Sequence, residues 1–391
     1  MGLTVLLRVL ACATVALAPL EGYLLRVHGQ SAKVVPAALL AVWVFSLVKR
    51  RRLPAPHPLH LVVASLAVVL LATSAVHLAE PFTLEYLVRW APFLVVTVVL
   101  ADVAAREVPV RALLAATVAG AVVAAAGGLL SLVGGEPRAA GPLEDPNDLA
   151  FVLVAALPLL VALPTGRRSR IVLLLLGAVL VAGAAATFSR GGGLALACAL
   201  LWLIARRGLP VRAVVVTAAV TGLAALVLAP AAQAGLARAL QEKSHIAGTN
   251  ADTRMLRWQA AARMLADDPV LGVGPGGFRR QYAAAGHNAE IDEQTPVAHN
   301  LFLEVAAELG VAGFALLAAL VVVGFVASER ALRVVADRRE ALALQAALIA
   351  VLVASIFLSE QYYLPLWSLV ALAVAVERRA REGSGRCASC T

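Results

Sequence analysis

His299-Asn300-Leu301-Phe302-Leu303-Glu304 leads through Val305–Leu309 into Gly310-Val311-Ala312-Gly313, and from there into an apolar run that continues to residue 326. A polar segment is thus delivered to the mouth of a hydrophobic helix. Upstream, the same segment holds Thr253-Arg254-Met255-Leu256-Arg257-Trp258 and the turn Gly272-Val273-Gly274-Pro275-Gly276-Gly277. Almost everything else is compatible with hydrocarbon. The 391 residues are 61% apolar with a mean hydropathy of +0.87, against about 45–50% apolar in an ordinary soluble domain. The chain reads as an all-α polytopic integral membrane protein, one membrane domain over 1–391.

A spanning helix needs ~20 mostly apolar residues, and about 12 stretches qualify. They lie near 3–25, 34–48, 59–79, 83–101, 111–134, 147–163, 171–188, 193–205, 213–229, 300–326, 341–358 and 363–376. Helices are required because an open sheet edge cannot stand in lipid. Most of the 33 Lys and Arg residues fall in alternate connections, including Lys49–Arg52, Arg167–Arg170, Arg206–Arg212 and Arg330–Arg339. Those connections read as cytoplasmic, and both termini with them. The net charge of +9 is then a topology signal, and a nucleic-acid partner is not expected. Four cysteines are too few for a disulfide framework.

The same alternation places 230–298, between the ninth and tenth spans, on the extracytoplasmic face. A loop of this length inside a compact chain is usually functional. It contains a helix pattern: Asp252 as cap, and Met255, Trp258, Ala262 and Leu265 as an apolar stripe. Arg254 and Arg257 project from a neighbouring face, free to meet a ligand, and Asp267-Asp268-Pro269 ends the helix. Asp145-Pro146-Asn147-Asp148 reads as a helix start, with Asn147 or Asp148 as the cap. No His/Cys cluster supports a metal, and no cofactor motif survives its context. The Gly272–Gly277 run follows a Pro-broken helix and no strand, so it is not a dinucleotide loop.

Histidine can take a proton near neutral pH. Both His287 and His299 precede Asn, but only His299 is followed by Gly310-x-x-Gly313, whose small residues would let a neighbouring helix approach. A helix-capping surface histidine and a proton acceptor both fit these residues. Arg190 sits in Ser189-Arg190-Gly191-Gly192-Gly193, where the glycines let backbone approach a ligand and a guanidinium can grip phosphate; headgroup anchoring is the plainer alternative. Arg89 lies inside a predicted span, where charge is expensive, although snorkelling explains it too. Glu304 and Glu308 could orient His299 or pair with an arginine.

At this point the chain resembles the O-antigen ligase/polymerase superfamily of bacterial membrane glycosyltransferases. His299-Asn300 followed by Gly310-x-x-Gly313 fits the family's H-[NSQ]-x9-G-x-x-G pattern, and Arg190-x-x-x-Leu194 its R-x3-L pattern. Thr253-Arg254…Trp258 with Asp268-Pro269-x-Leu271-Gly272 looks like the usual lead-in. The resemblance covers roughly residues 140–315. It implies metal-independent, inverting transfer of a glycan from undecaprenyl diphosphate to an acceptor hydroxyl, a lipid A–core sugar or other glycan, in the periplasmic face of the bacterial inner membrane. It implies His299 as general base, Arg190 and Arg254 on the diphosphate, and Arg257, Arg89 and Asn300 in supporting places. Gly191, Gly192, Gly310 and Gly313 belong to the motifs. A ligase is expected, with a repeat-unit polymerase as the alternative. A lipid-linked-glycan transporter would call for an internal repeat and mid-membrane charges, and neither is evident.

Overall fold

The computed structural model describes residues 2–163, 166–287, 290, 293 and 295–388, and their side chains apart from those of 167, 224–251 and 383–388. Among the described residues the regular structure is all helical, with no strand. Helices α1 (Leu3–Leu17) and α2 (Glu21–Val27) are joined by a 3-10 turn. There follow α3 (Ser31–Arg50), α4 (Pro58–Val76), α5 (Thr83–Arg106) and α6 (Val110–Val133). Next come α7 (Pro146–Ala156), prolonged by a 3-10 turn over Leu157–Ala162, then α8 (Arg167–Ala186), α9 (Arg190–Ala205) and α10 (Val211–Asp267). The chain closes with α11 (Gly277–Ala285), α12 (Leu301–Leu332), α13 (Arg339–Ala354) and α14 (Leu364–Ala388).

Every stretch expected to span is helical. Among the described residues, seven helices are long and apolar enough to cross a membrane by length and composition, and Pro146–Ala162, Arg190–Ala205 and Val211–Leu223 are shorter apolar helices. Together they make a multi-pass membrane protein. The remaining two, α13 and α14, form the centre of the bundle. Leu342, Leu344, Leu348 and Val351 of α13 are buried, as are Leu369–Val376 of α14. The rim is apolar outward, with Val34, Phe45 and Val48 on α3 and Ile171 and Leu175 on α8 exposed. Small residues set the closest approaches, in the way expected where lipid supplies no hydrophobic drive between helices. A Cβ on Gly120 of α6 would stand 2.0 Å from the Ala16 carbonyl of α1.

The bundle has two chemically distinct ends. At the arginine-rich end Thr4 donates to Glu107, Arg206 pairs with Glu329 at 2.9 Å and Arg111 with Glu340 at 2.8 Å. The first turn of α1 and the polar part of α14 lie there together, through Arg50–Glu107 and Arg378–Asp102. The other end carries the starts of α5, α7, α9 and α12, the α13–α14 turn, and the segment from residue 252 to 300.

The structure departs from expectation in three ways, two of them in this segment. Asp252 caps nothing, because α10 runs from Val211 to Asp267 without a second N-terminus. Its middle is alanine-rich (Ala231, Ala232, Ala234, Ala237, Ala239), a composition that favours continued helix. The inward face of its last turns is also rotated from the predicted stripe. Arg257, Ala260, Ala261 and Met264 are buried, whereas Met255 is 52% exposed and Ala262 is exposed. A charged residue occupies the inner face, so counting apolar residues alone selects the wrong side. Finally, α7 is capped by Asp145, which accepts the Asn147 N–H at 2.6 Å, with Pro146 at the first helical position, where its missing N–H costs nothing.

Candidate active site

The site is framed by a break in α12. Gly310 has φ 65° and ψ −170°, a conformation open essentially to glycine alone. The break releases carbonyls from the helical ladder, and a strap formed by residues 269–277 takes them up. Val273 and Gly274 donate their N–H groups to Ala307 and Glu308 (2.9 and 3.0 Å), and the Val311 N–H goes back to the Pro269 carbonyl at 2.8 Å. No room is left for side chains at the crossing. A Cβ on Gly310 would lie 2.2 Å from the Val270 carbonyl oxygen, and one on Gly272 2.5 Å from that of Ala307. Thr73 donates to the Leu271 carbonyl at 2.8 Å and His77 Nε2 meets that of Gly272 at 3.1 Å, so α4 holds the strap from behind. Gly310 therefore makes a backbone-to-backbone joint with a loop, where the Gly310-x-x-Gly313 pair was expected to meet a neighbouring helix. Gly313 faces its own Leu309.

Over this frame sits a small core of Ala260, Ala261, Met264, Val273, Phe278, Tyr282, Ala298 and Ala307. Arg257 enters it from α10. Its guanidinium makes a bidentate pair with Glu290 (3.0 Å twice), reaches Glu293 at 3.0 Å and donates to the Val297 carbonyl at 3.4 Å. Tyr282 also donates to Glu290. Hydrogen bonding to Arg257 holds Glu290 below the usual carboxylate range, and burial with the Glu290 bond pushes the Tyr282 hydroxyl up to about 12. Arg257 thus closes the 286–298 loop over the helix and is not free for a ligand, contrary to the sequence expectation.

His299 follows directly. It lies outside the first turn of α12 with φ 49°, a left-handed conformation uncommon for a residue with a side chain. Its neighbours are fixed on both sides. Glu304, buried, accepts the Ala298 N–H at 2.8 Å, the Gln361 amide at 2.6 Å and the Ser359 hydroxyl. Asn300 caps α12 by accepting the Phe302 and Leu303 N–H groups (3.0 and 3.1 Å), and the Leu301 N–H goes to carbonyls of the α13–α14 turn. Asn300 is consequently a helix cap, and Glu304 acts on His299 through the backbone. Burial first, then the charges of Arg257 and Arg254, lower the His299 pKa to about 4, with Asp145 and Glu293 opposing. Its ring has no hydrogen-bond partner among the described residues.

Arg254, one helical turn before Arg257, points into the same space without a hydrogen bond or ion pair among the described residues. Burial lowers its pKa, Asp145 opposes, and Arg138 and Arg257 add to the fall. Arg138 in turn ties the α8–α9 turn to α7, donating to the Thr187 carbonyl at 2.8 Å and to Asn147 at 3.1 Å. Arg190 begins α9 beside this tie, exposed, with Ser189 capping the helix through Gly192. Gly191 and Gly192 are required by packing, since a Cβ at either would meet Phe357 or Ala150 at 2.9 Å; they do not open the backbone to a ligand. His299, Arg254 and Asp145 are brought together, and Arg190 stands on the adjoining turn. Arg89 stands apart, paired with Glu85 and lying 4.7 Å over Tyr86.

Sequence reading missed the α13–α14 turn. Glu360 is buried facing Asp148, and burial and the Asp148 charge push its pKa well up. Tyr363 donates to Asp148 at 2.7 Å. The run Ser359-Glu360-Gln361-Tyr362-Tyr363 between two apolar stretches was the available signal. Among the described residues no three His, Cys, Asp or Glu side chains gather as metal ligands.

The two arginines separate by experiment. Arg257→Ala strands two carboxylates and is expected to cost roughly 2–3 kcal/mol, somewhat less than a fully buried pair. The thermal midpoint should fall, and protease should cut within 286–298. Arg254→Ala removes a partly desolvated charge that has no ion pair among the described residues, so transfer should be lost while the midpoint holds or rises. An unchanged midpoint in Arg257→Ala would refute its structural role.

Fold and site together describe a polytopic all-α membrane protein with a histidine–arginine centre at one end of its bundle. Residues 173–318 match the family described as O-Antigen ligase, which supports the resemblance of this region to the O-antigen ligase/polymerase superfamily. The matched segment contains Arg190, Arg254, Arg257, His299, Gly310 and Gly313, and leaves Arg89, Arg138, Asp145 and Glu360 outside. No curated protein matches the chain.

Proposed function

We propose that this protein is a glycosyltransferase that moves a glycan from undecaprenyl diphosphate to an acceptor hydroxyl, working as an O-antigen ligase with a lipid A–core sugar as acceptor. One observation carries this reading: an imidazole kept neutral stands beside Arg254, a half-buried guanidinium that makes no hydrogen bond or ion pair among the described residues and has only the more distant charge of Asp145 to oppose it. A neutral base and an unsatisfied cation suit a neutral nucleophile and an anionic leaving group.

The acceptor oxygen attacks the anomeric carbon from the face opposite the diphosphate, with inversion. His299 takes the hydroxyl proton as that bond forms. The bond between the anomeric carbon and the phosphate oxygen breaks, and the diphosphate leaves with the electron pair. Arg254 receives its developing charge, an electrostatic contribution that is often the largest in catalysis. Arg190 assists from the first turn of α9, where the positive end of the helix dipole also favours anions. No step calls for a metal or cofactor. The arginine-rich end of the bundle supports a cytoplasmic assignment for that side, which puts both described ends of the chain in the cytoplasm and His299 at the periplasmic face of the inner membrane.

The test is transfer by purified protein in nanodiscs from an oligosaccharide on a lipid diphosphate, with EDTA present. Wild type and His287→Ala should transfer, and His299→Ala should not. A single glycan added to lipid A–core supports the ligase, and a ladder of repeat units on the carrier would replace it with the polymerase. If wild type transfers nothing across a panel of acceptors, the glycosyltransferase reading fails.

A further inference from the structure

The end of the bundle opposite His299 holds a cavity that the transfer reaction leaves unused. Its volume, about 720 Å³, falls within the usual range for ligand sites. Its walls are the last turns of α3 and α5, the link at Arg52–Ala55 and the polar part of α14. Five arginines line it, Arg50, Arg52, Arg106, Arg378 and Arg379, against three carboxylates, Asp102, Glu107 and Glu382.

The carboxylates do not balance the arginines. Asp102 serves two of them, Arg106 at 3.2 Å and Arg378 at 3.6 Å, while also accepting the Trp43 indole N–H at 3.0 Å. Glu107 is taken by Arg50 and Thr4. Arg379 donates to the carbonyls of Ala104 (2.6 Å) and Val108 (2.9 Å), near the end of α5. The Arg52 side chain has no hydrogen bond or ion pair among the described residues. Arg378 is the costly member, because its side chain is only 10% exposed and half a carboxylate does not offset its desolvation. An anion in the cavity would.

The remaining wall is apolar. Leu7 and Leu47 line the cavity, and so does Leu53, which is 82% exposed. α3 contributes Ser46, Leu47 and Arg50 to the cavity wall and is a rim helix whose Val44, Phe45 and Val48 face outward. A charged pocket continuous with a lipid-facing wall matches a ligand with an anionic head and hydrocarbon chains, and basic pockets between spanning helices recognise such headgroups. We propose that this cavity binds the phosphate headgroup of an anionic membrane lipid, in the leaflet opposite the His299 site.

Native mass spectrometry of the intact protein in mild detergent tests this, with phosphatidylglycerol, phosphatidylcholine or inorganic pyrophosphate added separately. Phosphatidylglycerol should remain bound in preference to phosphatidylcholine. Arg52→Ala, a change at an exposed and unpaired residue, should lower its occupancy about fivefold, the weight of one arginine near an anionic headgroup. Arg168→Ala, outside the cavity, should leave it unchanged. Equal retention of the two lipids, or no response to Arg52→Ala, would overturn the proposal. Binding of pyrophosphate without phosphatidylglycerol would make the cavity a site for soluble anions and overturn the lipid assignment.

Discussion

Over a pH series, kcat/KM for glycan transfer should stay level through the range where an ordinary histidine titrates and fall only towards pH 4. The free-enzyme profile reports the base before substrate binds. There, burial and the charges of Arg257 and Arg254 hold His299 at about 4, against its usual 6.5. The sign is fixed by the mechanism: the base must be neutral, and a lowered pKa keeps it neutral down to more acidic pH. The profile of kcat should differ. A bound diphosphate brings negative charge to the two guanidiniums, weakens their field at the imidazole and raises its pKa, so the acid limb of kcat lies at higher pH than that of kcat/KM. This shift also answers an objection. A base of pKa near 4 has little driving force for taking a hydroxyl proton, and substrate binding moves it to a more useful value at the moment of need.

Arg254→Gln separates this account from a generic acid inactivation. Removing one positive charge from beside His299 should raise the acid limb of kcat/KM, in addition to slowing transfer. His299→Ala should cost about 10²–10⁴-fold, the usual weight of a general base. An acid limb near 6.5 that Arg254→Gln leaves in place would mean that the arginines do not control the histidine.

The spans were legible because hydrocarbon leaves the backbone few choices, and a run such as Val110–Val133 has only one way to satisfy its amides. His299 and Arg190 were picked out for a different reason: polar residues at the mouths of apolar helices stand out locally, as does Arg254 in the polar segment that precedes His299. Their partners were not. Arg257 looked like a surface residue because Glu290 and Glu293 lie in a loop without periodicity, and only the fold brings them under α10. Glu360 went unread because it sits in a short turn and its partner Asp148 opens a helix far earlier in the chain. Asn300 was visible as a motif residue, yet whether it touches an acceptor or caps α12 depends on backbone geometry that residue type does not encode. The same holds for Gly310, whose spacing to Gly313 suggests helix packing and whose torsion angles make a break.

That break gives the largest structural prediction. Gly310→Ala must place a side chain at φ 65° and ψ −170°, a strain of about 1–3 kcal/mol, and its Cβ would meet the Val270 carbonyl at 2.2 Å. The neighbour is backbone, so rotation of a side chain gives no relief. Either the α12 turn or the strap must move, and with it the three hydrogen bonds that join Val273, Gly274 and Val311 to their acceptors. His299 shares α12 with the joint, and Arg254 stands on the helix that enters the strap at Asp267. Displacing the strap therefore changes the separation of base and cation, and a misplacement of this order costs about a hundredfold in rate. Limited proteolysis should show new cleavage within 269–277, the thermal midpoint should fall, and transfer should drop with it. Gly193→Ala supplies the control, because a Cβ there meets nothing within 4 Å and the residue lies inside α9, where Ala is favoured over Gly by about 1 kcal/mol. Wild-type stability and transfer in Gly310→Ala would show that α12 and the strap do not position the site.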